Sequence, residues 1–352
     1  MTYYEINAAA LRHNILHLRR LAGVPIWAVL KYDGYGVGLL TLAHTLRQCG
    51  VRHFAVCGMR EAMALRSAGY TEDILLLSPQ TAESDLEAGL ANDIIFSVGD
   101  EAFARCLAQT AQRMGRNARV HIAVDTGMGR FGFLPAEADA IRRLYGLHGL
   151  RPEGIYSHFS SAWSNEGCTQ KQLDSFQRVL RQLRHGGIDY GTAHMANSAA
   201  FFRCPGAMLD AVRLGSAVVG RVGGVSPEKT GLQNVGTLVT DVCAVKTLKR
   251  GDRVGYDGEL RLRRDAELAI LSAGSWQGIP RLTARQRLLR AYPRATIGGK
   301  PLPIVSTSSA SHAMVDVTGQ NVQVGDLVRI DVNPLFLNPG VEKRVVCAAS
   351  AP

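Results

Sequence analysis

From residue 23 to about residue 220, short apolar runs alternate with amphipathic stretches of helical period, an order that few folds accept. The apolar runs are Ile26–Leu30, His53–Val56, Ile74–Leu77, Asp93–Ser97, Val120–Val124, Gly154–Ser157, Gly191–Met195 and Val212–Leu214. Between them lie helical patterns such as Leu40–Cys49, Met59–Ala68, Asp100–Met114, Pro135–Tyr145 and Gln170–His185. Strands alternating with helices pair in parallel, and eight of them close a (β/α)8 barrel of the TIM type. After about residue 230 the texture changes. Val235–Lys246, Arg253–Tyr256, Glu267–Leu271, Pro303–Thr307, Met314–Thr318 and Leu327–Val332 read as strands between Gly, Asp and Pro turns. The expected fold class is therefore α/β, with an N-terminal barrel over residues 8–230 and a mostly-β domain over 231–352. Thr2–Ile6 alternates as a strand before a helical Ala8–Leu21, so residues 1–7 are expected to pair with the β domain.

Composition narrows the class of activity. The formal charge of +10 invites a nucleic-acid reading, but the 33 arginines and seven lysines are spread along the chain and aromatics are only 7%. The densest basic stretch, Arg281 to Arg294, reads as a solvated face rather than a binding surface. Nucleic acid is not expected, and small anionic ligands suit the charge equally well. No apolar run approaches the roughly 18 residues of a membrane helix, and Met1 to Asn7 does not read as a signal peptide. Seven scattered cysteines without C-x-x-C spacing suggest reduced thiols in the cytoplasm, and no metal site is expected.

Lys31 is the most informative position. It follows Pro-Ile-Trp-Ala-Val-Leu, opens the loop Tyr32-Asp33-Gly34-Tyr35-Gly36-Val37-Gly38, and is the only lysine in the first 170 residues. A partly desolvated amine at a barrel mouth is a nucleophile suited to imine formation with an aldehyde cofactor. A lysine snorkelling from a strand end to water is the plainer alternative for the residue taken alone.

Lys-x-x-x-Tyr-Gly-x-Gly at the end of the first barrel strand resembles the cofactor-lysine signature of the alanine racemase family, and further motifs follow in order. Asp125-Thr126-Gly127-Met128-Gly129-Arg130 is similar to the family's D-T-G-M-G-R segment, and Gly154-Ile155-Tyr156-Ser157-His158-Phe159 to its G-x-x-[ST]-H-F strand. His194-Met195-Ala196-Asn197-Ser198 resembles H-x-A-N-S, and Val212-Arg213-Leu214-Gly215 resembles V-R-x-G. Gly251-Asp252-Arg253-Val254-Gly255-Tyr256 is similar to the segment opening the family's catalytic tyrosine.

The resemblance implies a pyridoxal 5'-phosphate enzyme that interconverts L- and D-amino acids, with alanine as the default substrate. Lys31 would hold the cofactor as a Schiff base, while Tyr35, the Ser198 hydroxyl and the amides of Gly215 and Ser216 would hold its phosphate. His158 would pack beside the ring and Arg130 near the substrate carboxylate. Arg213 would face the ring nitrogen without giving up its proton, which favours reprotonation at Cα. The bland reading of Arg213 is a surface ion pair, against which its apolar flanks count. His194 and Asn197 are either plain core polar residues or supports of the site, with His158 and His194 flanking Arg213. Lys31 would serve as the base on one face of Cα and Tyr256 on the other, its phenol acidified by a cationic network of Arg213 and the histidines. Tyr256 would come from the β domain of a partner in a head-to-tail homodimer; the plain alternative is a strand-end aromatic packed on the core.

Departures from the family pattern lie mostly on the substrate side. Ala123 stands where many members carry a carbamylated lysine, so the anion bracing Arg130 must come from elsewhere or be absent. Gly274-Ser275-Trp276-Gln277-Gly278 replaces G-Y-A-D-G. Ser309-Ala310-Ser311 replaces C-M-D, whose backbone contacts the substrate carboxylate, a role that falls to Ala310. Gly340-Val341-Glu342-Lys343-Arg344-Val345 lacks a phosphate-binding tyrosine. These changes leave open a racemase for serine or a larger amino acid. A non-catalytic pyridoxal-phosphate-binding protein is the reading from another class, disfavoured by the β domain. A decarboxylating fold relative is disfavoured by Arg213.

Overall fold

The computed structural model describes residues 1–281, 294–305 and 308–346. The chain divides into two compact units, residues 10–234 and residues 1–9 with 235–352. After β1 (Tyr3–Asn7), eight parallel strands run through the first unit: β2 (Ile26–Val29), β3 (His53–Val56), β4 (Asp73–Leu76), β5 (Ile95–Val98), β6 (Ala118–Ala123), β7 (Leu150–Tyr156), β8 (Thr192–His194) and β9 (Val212–Leu214). They pair in the order β8-β7-β6-β5-β4-β3-β2-β9. The ends of that sheet meet through a parallel bridge, His194 to Ala211, and a backbone bond from Arg213 N to Ala196 O. Helices between the strands complete the TIM-type barrel.

Each of the eight apolar runs becomes a strand, with ends shifted by no more than four residues. Besides short helices such as Ser198–Arg203, one helix of nine residues went unread, Glu83–Ala91. It is short and turns only Leu86, Gly89 and Leu90 inward, too few apolar positions to mark a period.

Side chains from well-separated strands meet across the lumen. Trp27 on β2 and His121 on β6 have ring centroids 5.1 Å apart, although three strands lie between them in the sheet. At the strands' N-terminal end, Arg119 reaches Asp73 (2.8 Å), Asp93 (2.9 Å) and Glu153 (2.9 Å), tying four successive strand starts together. In barrels of this kind that end serves stability, and the opposite mouth carries the chemistry.

The second unit is built on β10 (Gly236–Leu248), β11 (Arg253–Val254), β12 (Leu260–Arg261), β13 (Ala266–Leu271), β14 (Arg294–Ile297), β15 (Lys300–Pro303), β16 (Ala313–Asp316), β17 (Leu327–Ile330) and β18 (Glu342–Val346). The main sheet runs β15-β14-β17-β10-β1-β18, with β13 and β16 continuing from β10. β1 pairs antiparallel with β10 and parallel with β18, so the opening segment joins the β unit as its sequence suggests.

Three expectations need correction. The strand read at Arg253–Tyr256 stops at Val254, because Gly255 turns the chain at φ 82° and Tyr256 opens a short 3-10 turn. The strand read at Pro303–Thr307 lies at Lys300–Pro303, with residues 306–307 outside the described ones. The segment 340–345, read only for its missing tyrosine, contributes most of β18. Of the basic stretch from Arg281 to Arg294, residues 282–293 lie outside the described residues.

Candidate active site

The C-terminal ends of the barrel strands surround a cavity of about 450 Å³. Lys31, Tyr35, Arg130, His158, Asn197, Ser198, Arg213, Gly215 and Ser216 all line it, although they come from segments scattered over nearly 190 residues. Of the residues singled out from sequence, only Tyr256 and Ala310 lie outside this unit, on the β unit.

Lys31 sits just past β2, where Leu30 N donates to Ala55 O and ends the strand pairing. The next four residues, Tyr32, Asp33, Gly34 and Tyr35, all have left-handed φ, near 54–61°. Three of them carry side chains, and each costs about 1 kcal/mol in that conformation. Carboxylates hold the turn: Tyr32 N donates to Glu61 Oε1 (2.8 Å) and Leu39 N to Asp33 Oδ1 (2.8 Å). Lys31 is half-buried, with Nζ 5.5 and 5.8 Å from the ring centroids of Tyr32 and Tyr35. Among the described residues no carboxylate pairs with it, so its amine is not tied up in a salt bridge.

Tyr35, Ser198 and Gly215 form one corner. A Cβ at Gly215 would collide with the Tyr35 hydroxyl and ring, so only glycine permits this approach. Burial raises the Tyr35 pKa, which keeps its hydroxyl a proton donor at neutral pH. Ser198 Oγ accepts from Gly215 N (3.3 Å) and Ala217 N (3.2 Å), so the Gly215 amide already has an internal partner. Asn197 caps the helix Ser198–Arg203, its Oδ1 accepting from Ala199 N and Ala200 N at 3.1 and 3.0 Å. Its carbonyl oxygen is therefore spent on local structure.

Arg213 is 3% exposed and has no carboxylate partner among the described residues. Nη1 donates to Nδ1 (2.7 Å) and O (3.0 Å) of His194, and Nη2 to the carbonyl oxygens of Ser157 (2.6 Å) and Met195 (3.4 Å) and to His158 Nδ1 (3.3 Å). Burial lowers its pKa to about 10, so it stays cationic at neutral pH. Its charge is met by these dipoles and by the face of the Tyr156 ring, whose centroid is 4.9 Å from the guanidinium carbon. The histidines around it are neutral, which corrects the expected cationic network. Burial, reinforced by Arg213, pushes His158 down to about 3 and drives His194 well below its ordinary value. The local positive charge therefore rests on Arg213 and Arg130.

Arg130 is presented by a loop wrapped on Asp125. Asp125 Oδ1 accepts from the amides of Gly127, Met128 and Gly129, and Oδ2 from Arg130 N. Burial opposes its ionisation, but these amides together hold the carboxyl below its usual range. The Arg130 guanidinium lies over the Phe131 ring, 4.7 Å from its centroid, and no carboxylate pairs with it among the described residues. A stacked aromatic thus stands where an anionic brace was sought.

The cavity also brings in residues not singled out from sequence. Cys57, Leu77 and Ser78 follow directly on β3 and β4. The signal for them was available, since the residue just past any barrel strand faces the mouth. Trp163, 59% exposed in the loop after β7, carried no local signal. On the β unit, Tyr256 is 67% exposed and Ala310 O accepts from Trp276 N (3.0 Å).

Known proteins are similar to this chain over nearly its whole length. Residues 6–222 match the alanine racemase N-terminal domain, and residues 235–334 the alanine racemase C-terminal domain. The alanine racemase of Desulforamulus reducens is 34% identical over 320 residues, covering 89% of this chain and 85% of that protein. That of Methanococcus maripaludis is 31% identical, covering 96% and 90%. The structure of the Clostridium difficile 630 alanine racemase superposes with a TM-score of 0.86 at 25% identity, covering 98% of this chain and 95% of that one. The enzyme from D-cycloserine-producing Streptomyces lavendulae gives 0.86 at 26%, covering 98% and 97%. Both domains, their order and the cavity's residues agree with one conclusion: this chain belongs to the alanine racemase family.

Proposed function

We propose that the chain is a pyridoxal-phosphate-dependent amino-acid racemase acting on alanine. One observation carries the reading: an unpaired lysine, a buried arginine without an anion and a hydroxyl-and-amide corner converge on one cavity. That cavity fits the cofactor in charge and in shape. Among the described residues its cations lack partner anions, and glycine at 215 lets the Tyr35 hydroxyl close on the backbone of that corner.

When bound, pyridoxal phosphate supplies an electron sink for the pair left at Cα when its proton departs. Lys31 holds the cofactor through its ε-amine. The Tyr35 and Ser198 hydroxyls bind the phosphate together with the amide of Ser216, while His158 packs on the ring. Arg213 is the donor assigned to the ring nitrogen. Still a cation with its pKa at about 10, it donates a hydrogen bond without transferring a proton. Arg130 takes the substrate carboxylate, and the backbone at Ala310 of a second copy of the chain assists it.

Racemisation needs a proton carrier on each face of Cα. The Lys31 amine moves the proton on one face and the Tyr256 phenol on the other. We assign Tyr256 to a second copy of the chain in a head-to-tail homodimer, since its exposed 3-10 turn displays it for delivery. All six described cysteines are free, which supports a reducing compartment, the cytoplasm.

The test is the visible spectrum of the purified chain before and after borohydride, followed by racemisation of a panel of L-amino acids. Imine absorbance that borohydride bleaches, with alanine turned over fastest, is the expected result. A colourless chain that takes up no pyridoxal phosphate overturns the reading. A coloured enzyme that prefers serine moves the substrate assignment to the altered residues Ser275 and Ser309–Ser311. Mixing Lys31→Ala with Tyr256→Phe tests the dimer, because only shared sites restore activity.

A further inference from the structure

The barrel lumen contains one more ring than the proposed chemistry uses. His121, on β6, is 2% exposed, and its Nδ1 lies 2.8 Å from His194 Nε2. His194 in turn meets Arg213, so three side chains from β6, β8 and β9 form one buried line.

The protons along that line are fixed by elimination. A guanidinium only donates. His194 Nδ1, 2.7 Å from Arg213 Nη1, must therefore carry a lone pair, which puts the proton of His194 on Nε2. That N–H points at His121 Nδ1, which must accept in its turn, leaving the proton of His121 on its own Nε2. A cationic ring at either position would set N–H against N–H.

We propose that His121 is a positioning residue of the racemase site: by accepting from His194 it locks the tautomer that His194 needs to accept from Arg213. The lock acts through Arg213 and so rests on the reading of Arg213 as a cofactor contact. Without the acceptor at His121, the His194 proton gains by leaving a buried, unpaired Nε2. On Nδ1 it would confront the guanidinium, releasing Nη1 from its strongest side-chain partner.

The packing is built for this ring and this orientation. A Cβ at Gly154 would stand 2.7–2.8 Å from three His121 ring atoms, so β7 carries glycine where the ring passes. The His194 ring is held between Trp27 (centroids 6.0 Å apart, interplanar 21°) and Tyr156 (5.3 Å, 8°), which hinders a flip. Burial also favours two neutral rings, holding His121 near 3 and His194 well below its ordinary value. Of the charged and titratable groups facing the pair, Asp73 favours the cation, whereas Arg119, Arg213 and His53 oppose it. A ring that merely filled the lumen would need neither a defined tautomer nor an acceptor.

The experiment is 15N NMR of histidine-labelled full-length chain, first without and then with pyridoxal phosphate, on the wild type, His121→Asn and His121→Leu. Asparagine keeps an acceptor near the Nδ1 position and leucine removes it. The expected wild-type spectrum shows both rings protonated on Nε2 alone, unchanged across about pH 5 to 8. His121→Leu should shift the His194 signals and the pH profile of the cofactor absorbance. It should lower kcat about tenfold while KM stays within about twofold, and His121→Asn should restore most of the loss. A wild-type His194 protonated on Nδ1 overturns the lock, as does a folded leucine variant with wild-type His194 shifts and kcat. If the leucine variant fails to fold, the wild-type and asparagine spectra decide by the same criterion. A coloured, active enzyme with the opposite tautomer sinks the lock alone. A chain that takes up no pyridoxal phosphate sinks the racemase reading and the lock's role together.

Discussion

The two units put their polar residues in opposite places. Inside the barrel, His121, His194 and Arg213 are almost wholly buried and bonded to one another. Inside the β unit the buried residues are mainly aliphatic, among them Leu238, Val242, Leu268, Leu271, Val315, Val328 and Ile330. Its chemically interesting side chains, Tyr256 and Trp276, are 67% and 50% exposed. A buried polar line resists piecemeal change, because altering one member leaves its neighbour unsatisfied at a cost of about 1–3 kcal/mol. An exposed side chain has no such hold. Burial alone does not sort the residues that match the family pattern from those that depart from it, since the exposed Tyr256 matches and the buried Ala123 departs.

The contrast can be broken most decisively at Lys31. Lys31→Ala should reduce racemisation by about 10⁴-fold or more and abolish borohydride-sensitive absorbance. Full colour in that variant would remove the barrel's claim to the cofactor.

Acid should reveal the next largest difference. His121 and His158 are held near 3 and His194 well down, so below the ordinary histidine value of 6.5 the unfolded chain binds protons that the folded barrel refuses. Their stabilisation is complete above about pH 6.5 and is lost as pH falls, by up to about 1.4 kcal/mol per pH unit for each ring. The only histidine of the β unit's sequence is His312. Urea midpoints should therefore drop steeply below about pH 6.5, with hydrogen exchange locating the opening in the barrel. Equal acid sensitivity in both units would erase the contrast.

Smaller effects sharpen it. Tyr256→Phe should slow racemisation by about 10²- to 10³-fold while leaving cofactor binding intact, since a displayed residue serves chemistry and not packing. An unchanged rate would remove it from the reaction. Gly215→Ala forces a Cβ against Tyr35 and should weaken pyridoxal phosphate binding about tenfold, read by equilibrium titration. Trp276→Ala, on the exposed side of the β unit, should change the urea midpoint by no more than about 0.5 kcal/mol.

Most of the barrel was legible because each strand is a short apolar run and every parallel pairing except that of β2 with β9 joins consecutive strands. The β unit was less so. β14 and β18 carry charged residues among their few positions, and their partners β17 and β1 are distant in sequence. At the site, Lys31, Tyr35, Arg130, His158, Asn197, Ser198, Arg213, Gly215 and Ser216 were readable from ordered motifs, whereas Cys57, Leu77, Ser78 and Trp163 belong to none. The state of the histidines was not readable, because their neutrality follows from burial that no local window records. The same holds for Arg130, whose Phe131 contact replaces an anion sought elsewhere. It holds too for Gly255, whose positive φ ends a strand that alternation alone would have carried through Tyr256.

The pairing of β1 with β10 and β18 has a consequence for how the chain leaves the ribosome. β1 carries Tyr4 and Ile6, both fully buried in the finished sheet, yet its first partner is made some 230 residues later and its second more than three hundred later. At typical elongation rates that is roughly ten seconds to a minute of waiting. The barrel sequence emerges in that interval and can fold on its own strands. The nascent chain therefore carries an unpaired, sticky leader while its larger unit matures. A chaperone that shields this short strand should raise the yield of native enzyme more than one acting on the barrel.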